Sequence, residues 1–348
     1  MTNKKYLEEE QTIQIETSEG MVEVTKKPDM EELKKKITSV QDLPGVGPAS
    51  IEKLAAAGFH DLMSIAVATP GEIVGATEMS EATAKKIIAI ARANLEMEFT
   101  SGEEIMKKRE QMIKITCGSK ELDKLMGGGF ETNAITEAYG QYGSGKSQIG
   151  HMLSVRVQLP PDKGGAGGTA VYIDTEGTFR PERIVQMAKA CGLDPQEALK
   201  NIKVARAFNS DHQMLLAEKI EDLIKQGNNV KLIVIDSLTA HFRAEFIGRG
   251  TLADRQQRIN KHMHALMKIA DKFNVAVYVT NQVMAKPDQF FGDPTEAIGG
   301  HIVAHNSTYR LYLRRGKKGT RVAKMVDAPN MPEAEAIFIV TEDGIKDA

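Results

Sequence analysis

The sequence predicts an α/β protein: a doubly wound, largely parallel sheet preceded by a small all-helical amino-terminal domain. Three observations carry this. From about residue 109 onward, β-branched runs such as "AVYID" and "LIVID" alternate with segments of helical apolar spacing, the pattern of strand–helix–strand units. Between residues 40 and 95 the apolar spacing is helical only, in short pieces cut by Pro and Gly turns. The third is a glycine-rich stretch, "YGQYGSGKSQIG" (residues 139–150), lying between a strand pattern, "NAITEAY", and a helical one, "KSQIGHMLSVRVQL".

Residues 1–37 alternate acidic and basic clusters with little apolar periodicity and are expected to form a mobile or marginally helical tail. The helical domain follows over 38–96, in the pieces "VQDL", "SIEKLAAAG", "DLMSIAVA" and "SEATAKKIIAIARANL". Its stretch "LPGVGPASIEKL" has the pattern of a helix-hairpin-helix. Gly45 and Gly47 allow a tight hairpin, Pro48 suits the first turn of the second helix, and the bare backbone N–H groups can meet a DNA phosphate. A plain turn between two helices serving protein contacts fits the same residues. Lys53, Lys85 and Lys86 offer charge nearby, to DNA or simply to solvent. A linker over 97–108 follows, and after the short stretch "EMEFTSG" a charged helix, "EEIMKKREQM", leads into the core, 109–348.

Bulk properties narrow the class. A chain of 348 residues with 41% hydrophobic and 26% charged residues, no eighteen-residue apolar run and no signal-like leader is expected in the cytoplasm, with no membrane partner. With a net charge of −2, nucleic-acid binding must rest on locally concentrated charge, and 5% aromatics leave few stacking platforms. Cys117 and Cys191 lack metal-ligand spacing and are expected to be reduced.

The core's chemistry begins at Gly140-x-x-x-x-Gly145-Lys146-Ser147, a P-loop. In such a loop backbone N–H groups wrap a β-phosphate, the lysine reaches the β/γ oxygens and the hydroxyl holds Mg²⁺, so Gly140, Gln141, Tyr142, Gly143, Ser144, Gly145, Lys146, Ser147 and Gln148 are the expected nucleotide cradle. The apolar run into Asp236 is a second phosphate-site element, with the placement of a Walker B carboxylate that binds Mg²⁺ through water at a strand's end. Hydrolysis needs a base for water, and Glu176, just past the strand "AVYID", is the choice. Asp174 stands two residues earlier, and a capping role is open to either acid. The strand "VAVYVTNQV" ends on Asn281 and Gln282, amides at the same edge that can sense a γ-phosphate or satisfy backbone groups.

Taken together, "GQYGSGKS", "YIDTEGTFRPER", "ARAFNSDHQ", "LIVIDSLTAHFRAEFIGRGTLADRQQR", "TNQV", "FFGDP", "GGHIVAHNSTYRLYLRRGKKGTR" and "DAPNMPEAEAIF" resemble the archaeal RadA recombinases of the RecA family, over roughly residues 38–347. The resemblance implies a RecA-like ATPase core that forms helical filaments or rings with itself on single- and double-stranded DNA, pairs homologous strands in recombinational repair, and works with recombination mediators. It implies ATP and Mg²⁺, with K⁺ as a further cation. It puts one DNA segment at Arg243, Arg249, Arg255 and Arg258 and a second at about 284–301, whose Phe290 and Phe291 have no assigned part. It gives Arg180 to the adenine, His305 to a link between the second DNA segment and the γ-phosphate, and Asp327 and Pro329 to a cap on a neighbour's ATP, Asp327 at a monovalent-cation site. It makes Phe99 and Gly102 the residues that dock one protomer's linker strand on the next, Gly102 standing where alanine is usual. Glu176, Lys146 and Gln282 become the catalytic set. A GTPase or small-substrate kinase is disfavoured, since no Asn-Lys-x-Asp guanine reader follows the last parallel strand, and a non-catalytic mediator is disfavoured by Glu176.

Overall fold

The computed structural model describes residues 14–17, 20–23, 37, 39–94, 101–285 and 295–348, and of residues 14–17 and 20–23 and of Arg249, Ala285, Thr295 and Glu296 only the backbone. The chain divides into two compact units, Met1–Ser101 and Gly102–Ala348.

In the first unit β1 (Gln14–Thr17) and β2 (Gly20–Glu23) pair antiparallel, Ile15 opposite Val22, where the sequence reading has no strand. Residues 39–94 are helical: α1 (Pro48–Ala56), α2 (Leu62–Val67), α3 (Pro70–Thr77) and α4 (Glu81–Asn94) follow a short turn and close around Leu54, Ile65, Ile73 and Ile87. Helix α3 is absent from the sequence reading, which leaves 69–79, with Pro70 and Gly71, as a break between two helical pieces. The structure puts Pro70 at the first helical position and closes a capping box between Thr69 and Glu72, so these residues start a helix. Gly45 takes φ 88°, as the hairpin between the Val40–Asp42 turn and α1 requires. Of the lysines expected nearby, Lys53 is ion-paired to Glu78 and Lys85 to Glu81.

The second unit opens on α5 (Gly102–Arg109), whose acids fall in the first turn and bases in the last, in step with the helix dipole. Gly102, expected in an extended linker, is the first residue of this helix. Then come β3 (Lys114–Ile115), α6 (Lys120–Leu125), β4 (Phe130–Glu131), β5 (Ala134–Gly140), α7 (Lys146–Arg156), β6 (Thr169–Asp174), α8 (Pro181–Ala190), α9 (Pro195–Lys200), β7 (Ile202–Arg206), α10 (Ser210–Lys225) and β8 (Val230–Asp236). They are followed by α11 (Ala240–Glu245), α12 (Leu252–Phe273), β9 (Ala276–Asn281), β10 (Val283–Ala285), β11 (Thr295–Ala297), α13 (Gly300–Asn306), β12 (Tyr309–Arg315), β13 (Arg321–Asp327), β14 (Glu335–Thr341) and β15 (Gly344–Asp347).

Nine strands form one sheet in the order β15-β14-β13-β12-β5-β9-β8-β6-β7. From β12 through β5, β9, β8 and β6 to β7 all neighbours are parallel, whereas β12 to β15 are antiparallel. The doubly wound expectation therefore holds for six strands, and a meander extends the sheet past β12. Two apolar clusters pack on its faces, one around Met152, Tyr172 and Phe338, the other around Ile235, Phe242 and Leu266. The central parallel strands are buried on both sides, and their register, Tyr139 beside Asn281 and Ile235 beside Val279, brings the carboxyl ends of β5, β8 and β9 to one edge.

Candidate nucleotide site and its surroundings

The loop between β5 and α7 is shaped by its glycines. A Cβ on Gly140 would lie 2.0 Å from the Leu313 carbonyl oxygen, so the loop can leave β5 beside β12 only with glycine there. Helix α7 then begins at Lys146 with Gly145 as its N-cap, its first N–H groups facing the cavity. Lys146 Nζ donates to the carbonyls of Gly140 (2.8 Å) and Gln141 (3.1 Å), and Tyr278 fixes the backbone by donating its hydroxyl to the Lys146 carbonyl at 2.9 Å. Burial pushes the Lys146 ammonium below its ordinary pKa, against the pull of Asp236 and Glu176.

The cavity above this loop measures about 990 Å³. Gly140, Gln141, Tyr142, Gly143, Gly145, Lys146, Ser147, Gln148, Glu176, Arg180, Asp236 and Gln282, all named from the sequence, line it. Ser144 does not, being buried with its hydroxyl unpaired.

Asp236 ends β8 with both carboxylate oxygens engaged: Tyr172 donates to Oδ2 at 2.7 Å, and the Thr280 hydroxyl to Oδ1. Glu176 Oε1 accepts from Ser237 Oγ (2.9 Å) and Gln282 Nε2 (2.7 Å), and among the described residues no donor meets Oε2. Asp174 is excluded as the base. Its carboxylate accepts four backbone N–H bonds, from Glu176, Gly177, Thr178 and Phe179, and so folds the loop that presents Glu176. Asn281 is excluded as a sensor of the cavity, being fully buried with its amide committed elsewhere.

Arg180 is exposed at the rim and folded onto the carbonyls of Gly177 and Phe179. Of the wall residues that escaped the sequence reading, three carry an ionisable side chain beside the P-loop and its helix: Arg183, Arg321 and His151. Arg183, on α8, donates to Gln148 Oε1 at 2.7 Å and to the carbonyls of Thr341 and Glu342, tying α7 to the β14–β15 turn. Arg321, at the start of β13, donates to the Gly143 carbonyl at 2.9 Å. His151 is buried one turn beyond Ser147 on α7, stacked on Tyr172 at 5.3 Å, and burial holds its imidazole down at about 4. Its four-residue spacing from Ser147 was the available signal.

Other expected residues stand apart from this cavity. His305 is exposed on α13, its ring 6.0 Å from that of His301. Asp327 ends β13 and Pro329 follows it, both exposed, at the opposite end of the strand from Arg321. Of the arginines, Arg243 is exposed on α11, and Arg255 is half-buried with its Nε unpaired. Arg258 is ion-paired to Asp211 and sits over the Phe246 ring at 5.4 Å. The Arg249 backbone forms a turn before α12. Phe99, Phe290 and Phe291 lie outside the described residues. Cys117 and Cys191 are free thiols, and burial raises both.

Residues 108–348 match the Rad51 family model and residues 37–93 that of a SAM-like helix-hairpin-helix tandem. A similar protein, the DNA repair and recombination protein RadA of Aeropyrum pernix, is 53% identical over 318 residues, covering 91% of this chain and 99% of the relative.

Proposed function

Since this chain belongs to the Rad51 family, we propose that it is a recombinase that pairs and exchanges homologous DNA strands, hydrolysing ATP when bound to DNA. The observation that carries the hydrolytic part is the position of Glu176. Its Oε1 is fixed by Ser237 and Gln282 at the mouth of the P-loop cavity and its Oε2 is left to accept a proton from water. In this reading ATP is the substrate. Lys146 balances charge on the β/γ oxygens, the loop N–H groups and the start of α7 hold the β-phosphate, and Arg180 covers the base.

The donor set suits Mg²⁺: the Ser147 hydroxyl and, through water, Asp236, whose oxygens already accept two hydroxyl bonds and retain lone pairs for more. When bound, Mg²⁺ neutralises charge developing on the transferred phosphoryl group.

Self-assembly completes the site. Asp327 lies six residues along β13 from Arg321 at the cavity wall, about 20 Å at the rise of a strand, and Pro329 lies two residues beyond it, so we assign them, with His305, to the nucleotide of a neighbouring protomer, Asp327 at a K⁺ site. Phe99 and Gly102 are assigned to docking the next core. Arg243, Arg249, Arg255 and Arg258 are assigned to single-stranded DNA, and the hairpin at Gly45 and Gly47 to duplex DNA. Mediators that load the protein are proposed partners. Among the described residues no helix is long and apolar enough to cross a membrane. The proposed place of action is the cytoplasm, with the DNA.

The test is ATP turnover with and without single-stranded DNA. A rise on adding DNA is expected, and turnover indifferent to DNA contradicts the proposal.

A further inference from the structure

We propose that Asn281 is the joint that makes the two DNA segments and the nucleotide cavity respond as one unit, a positioning residue for the DNA-dependent step. This rests on the functional reading above. Asn281 ends β9, fully buried, and its side-chain amide joins three other elements. Oδ1 accepts from Thr239 Oγ1 at 2.7 Å, and Nδ2 donates to Glu137 Oε1 at 2.8 Å and to the Ile298 carbonyl.

Each partner is placed where it counts. Thr239 is the N-cap residue of α11, yet its hydroxyl makes no cap and goes to Asn281 instead. It immediately precedes the segment carrying Arg243 to Arg258. Ile298 closes the second segment directly after β11, and its N–H donates to the Gln282 carbonyl at 3.0 Å, so both its backbone groups end on residues 281 and 282. Glu137 stands on β5, three positions before Gly140, with its other oxygen accepting from Arg310 Nε at 2.7 Å.

Gln282, the next residue, holds Glu176. A shift of either DNA segment therefore pulls on Asn281, and Asn281 cannot yield without leaving the buried Glu137 carboxylate short of a donor. The remaining freedom is transmitted along the backbone to Gln282, and through it to the base. A two-state element biased from both sites is what coupling requires.

The experiment measures ATP turnover, KM for ATP and single-stranded DNA affinity for the wild type, Thr239→Val, Thr239→Ser and Asn281→Asp, at fixed salt. Valine keeps the shape of threonine and removes the one hydroxyl, and the thermal midpoint of each variant is measured beside its activity, because Asn281 Oδ1 loses its donor. Expected for Thr239→Val is a KM for ATP and a DNA-free turnover within about twofold of wild type, with stimulation by DNA reduced on the order of 10-fold. Thr239→Ser restores the hydroxyl and the stimulation. Asn281→Asp, which sets a carboxylate against Glu137 and removes both N–H donors, loses more. The proposal is overturned if Thr239→Val is stimulated as fully as wild type, if serine does not rescue, or if DNA-free turnover falls in the same proportion. A wild type without any stimulation overturns the functional reading itself, and the joint with it.

Discussion

Gln282 Nε2 and Glu176 Oε1 meet at 2.7 Å, joining the ends of β9 and β6 across the mouth of the nucleotide cavity. The bond crosses the strand between them: β8 lies between β9 and β6 in the sheet and contributes Asp236 and, just beyond, Ser237 to the same carboxylate neighbourhood. One acid is thereby referenced to three strands.

Replacing Glu176 by Gln keeps the shape and the bond from Ser237 but removes the base. Hydrolysis is expected to fall by ~10²-fold or more, the usual scale for a general base, with ATP and DNA binding retained. Single-turnover hydrolysis measures it, and unchanged turnover would remove Glu176 from the chemistry.

Arg183→Ala cuts the tie between Gln148 on α7 and the carbonyls of Thr341 and Glu342. Hydrogen bonds to a charged group are worth about 1.5–3 kcal/mol each, so the thermal midpoint is expected to fall, and with Gln148 in the first turn of α7 no longer held the affinity for ATP is expected to drop by roughly 10-fold. Titration of a fluorescent ATP analogue reads this directly.

Stability should depend on pH through two histidines. Burial holds His151 and His262 at about 4 against an ordinary value of 6.5, so each is neutral in the fold and takes up a proton more readily when unfolded. Their contribution is whole above pH ~6.5 and is lost as the pH falls toward ~4, the loss amounting to about 2 kcal/mol each by pH 5. The thermal midpoint is expected to drop between pH 7 and pH 5, and to drop less in His262→Gln; an equal drop in that variant would contradict the assignment.

Arg249→Ala should weaken single-stranded DNA binding uniformly across sequences and lower the slope of log affinity against log salt by about one unit. An unaltered slope would place Arg249 off the phosphate track.

The parts of the site legible in the sequence are those written contiguously. The P-loop is a strand, a glycine turn and a helix start in one run, and Asp236 and Glu176 each follow their own apolar strand, so local pattern suffices. Arg321 is different: it reaches Gly143 only because β13 pairs with β12 and β12 with β5, a pairing that no local pattern records. Arg183 and His151 likewise acquire their places from helix packing. In the helical unit α3 was hidden because Pro70 and Gly71 read as breakers, although proline at a first helical position starts a helix.

Strand β13 carries a residue of the protomer's own cavity at one end, Arg321, and Asp327, assigned to the neighbour's, at the other. A head-to-tail assembly built on such a part has a counting rule. In an open filament the number of finished ATPase centres is one fewer than the number of subunits, whereas a closed ring wastes none. The terminal subunit with the bare half-centre is then unlike every interior one, and the two ends of the filament are chemically distinct. Growth and loss of subunits acquire a direction from the polarity of a single strand.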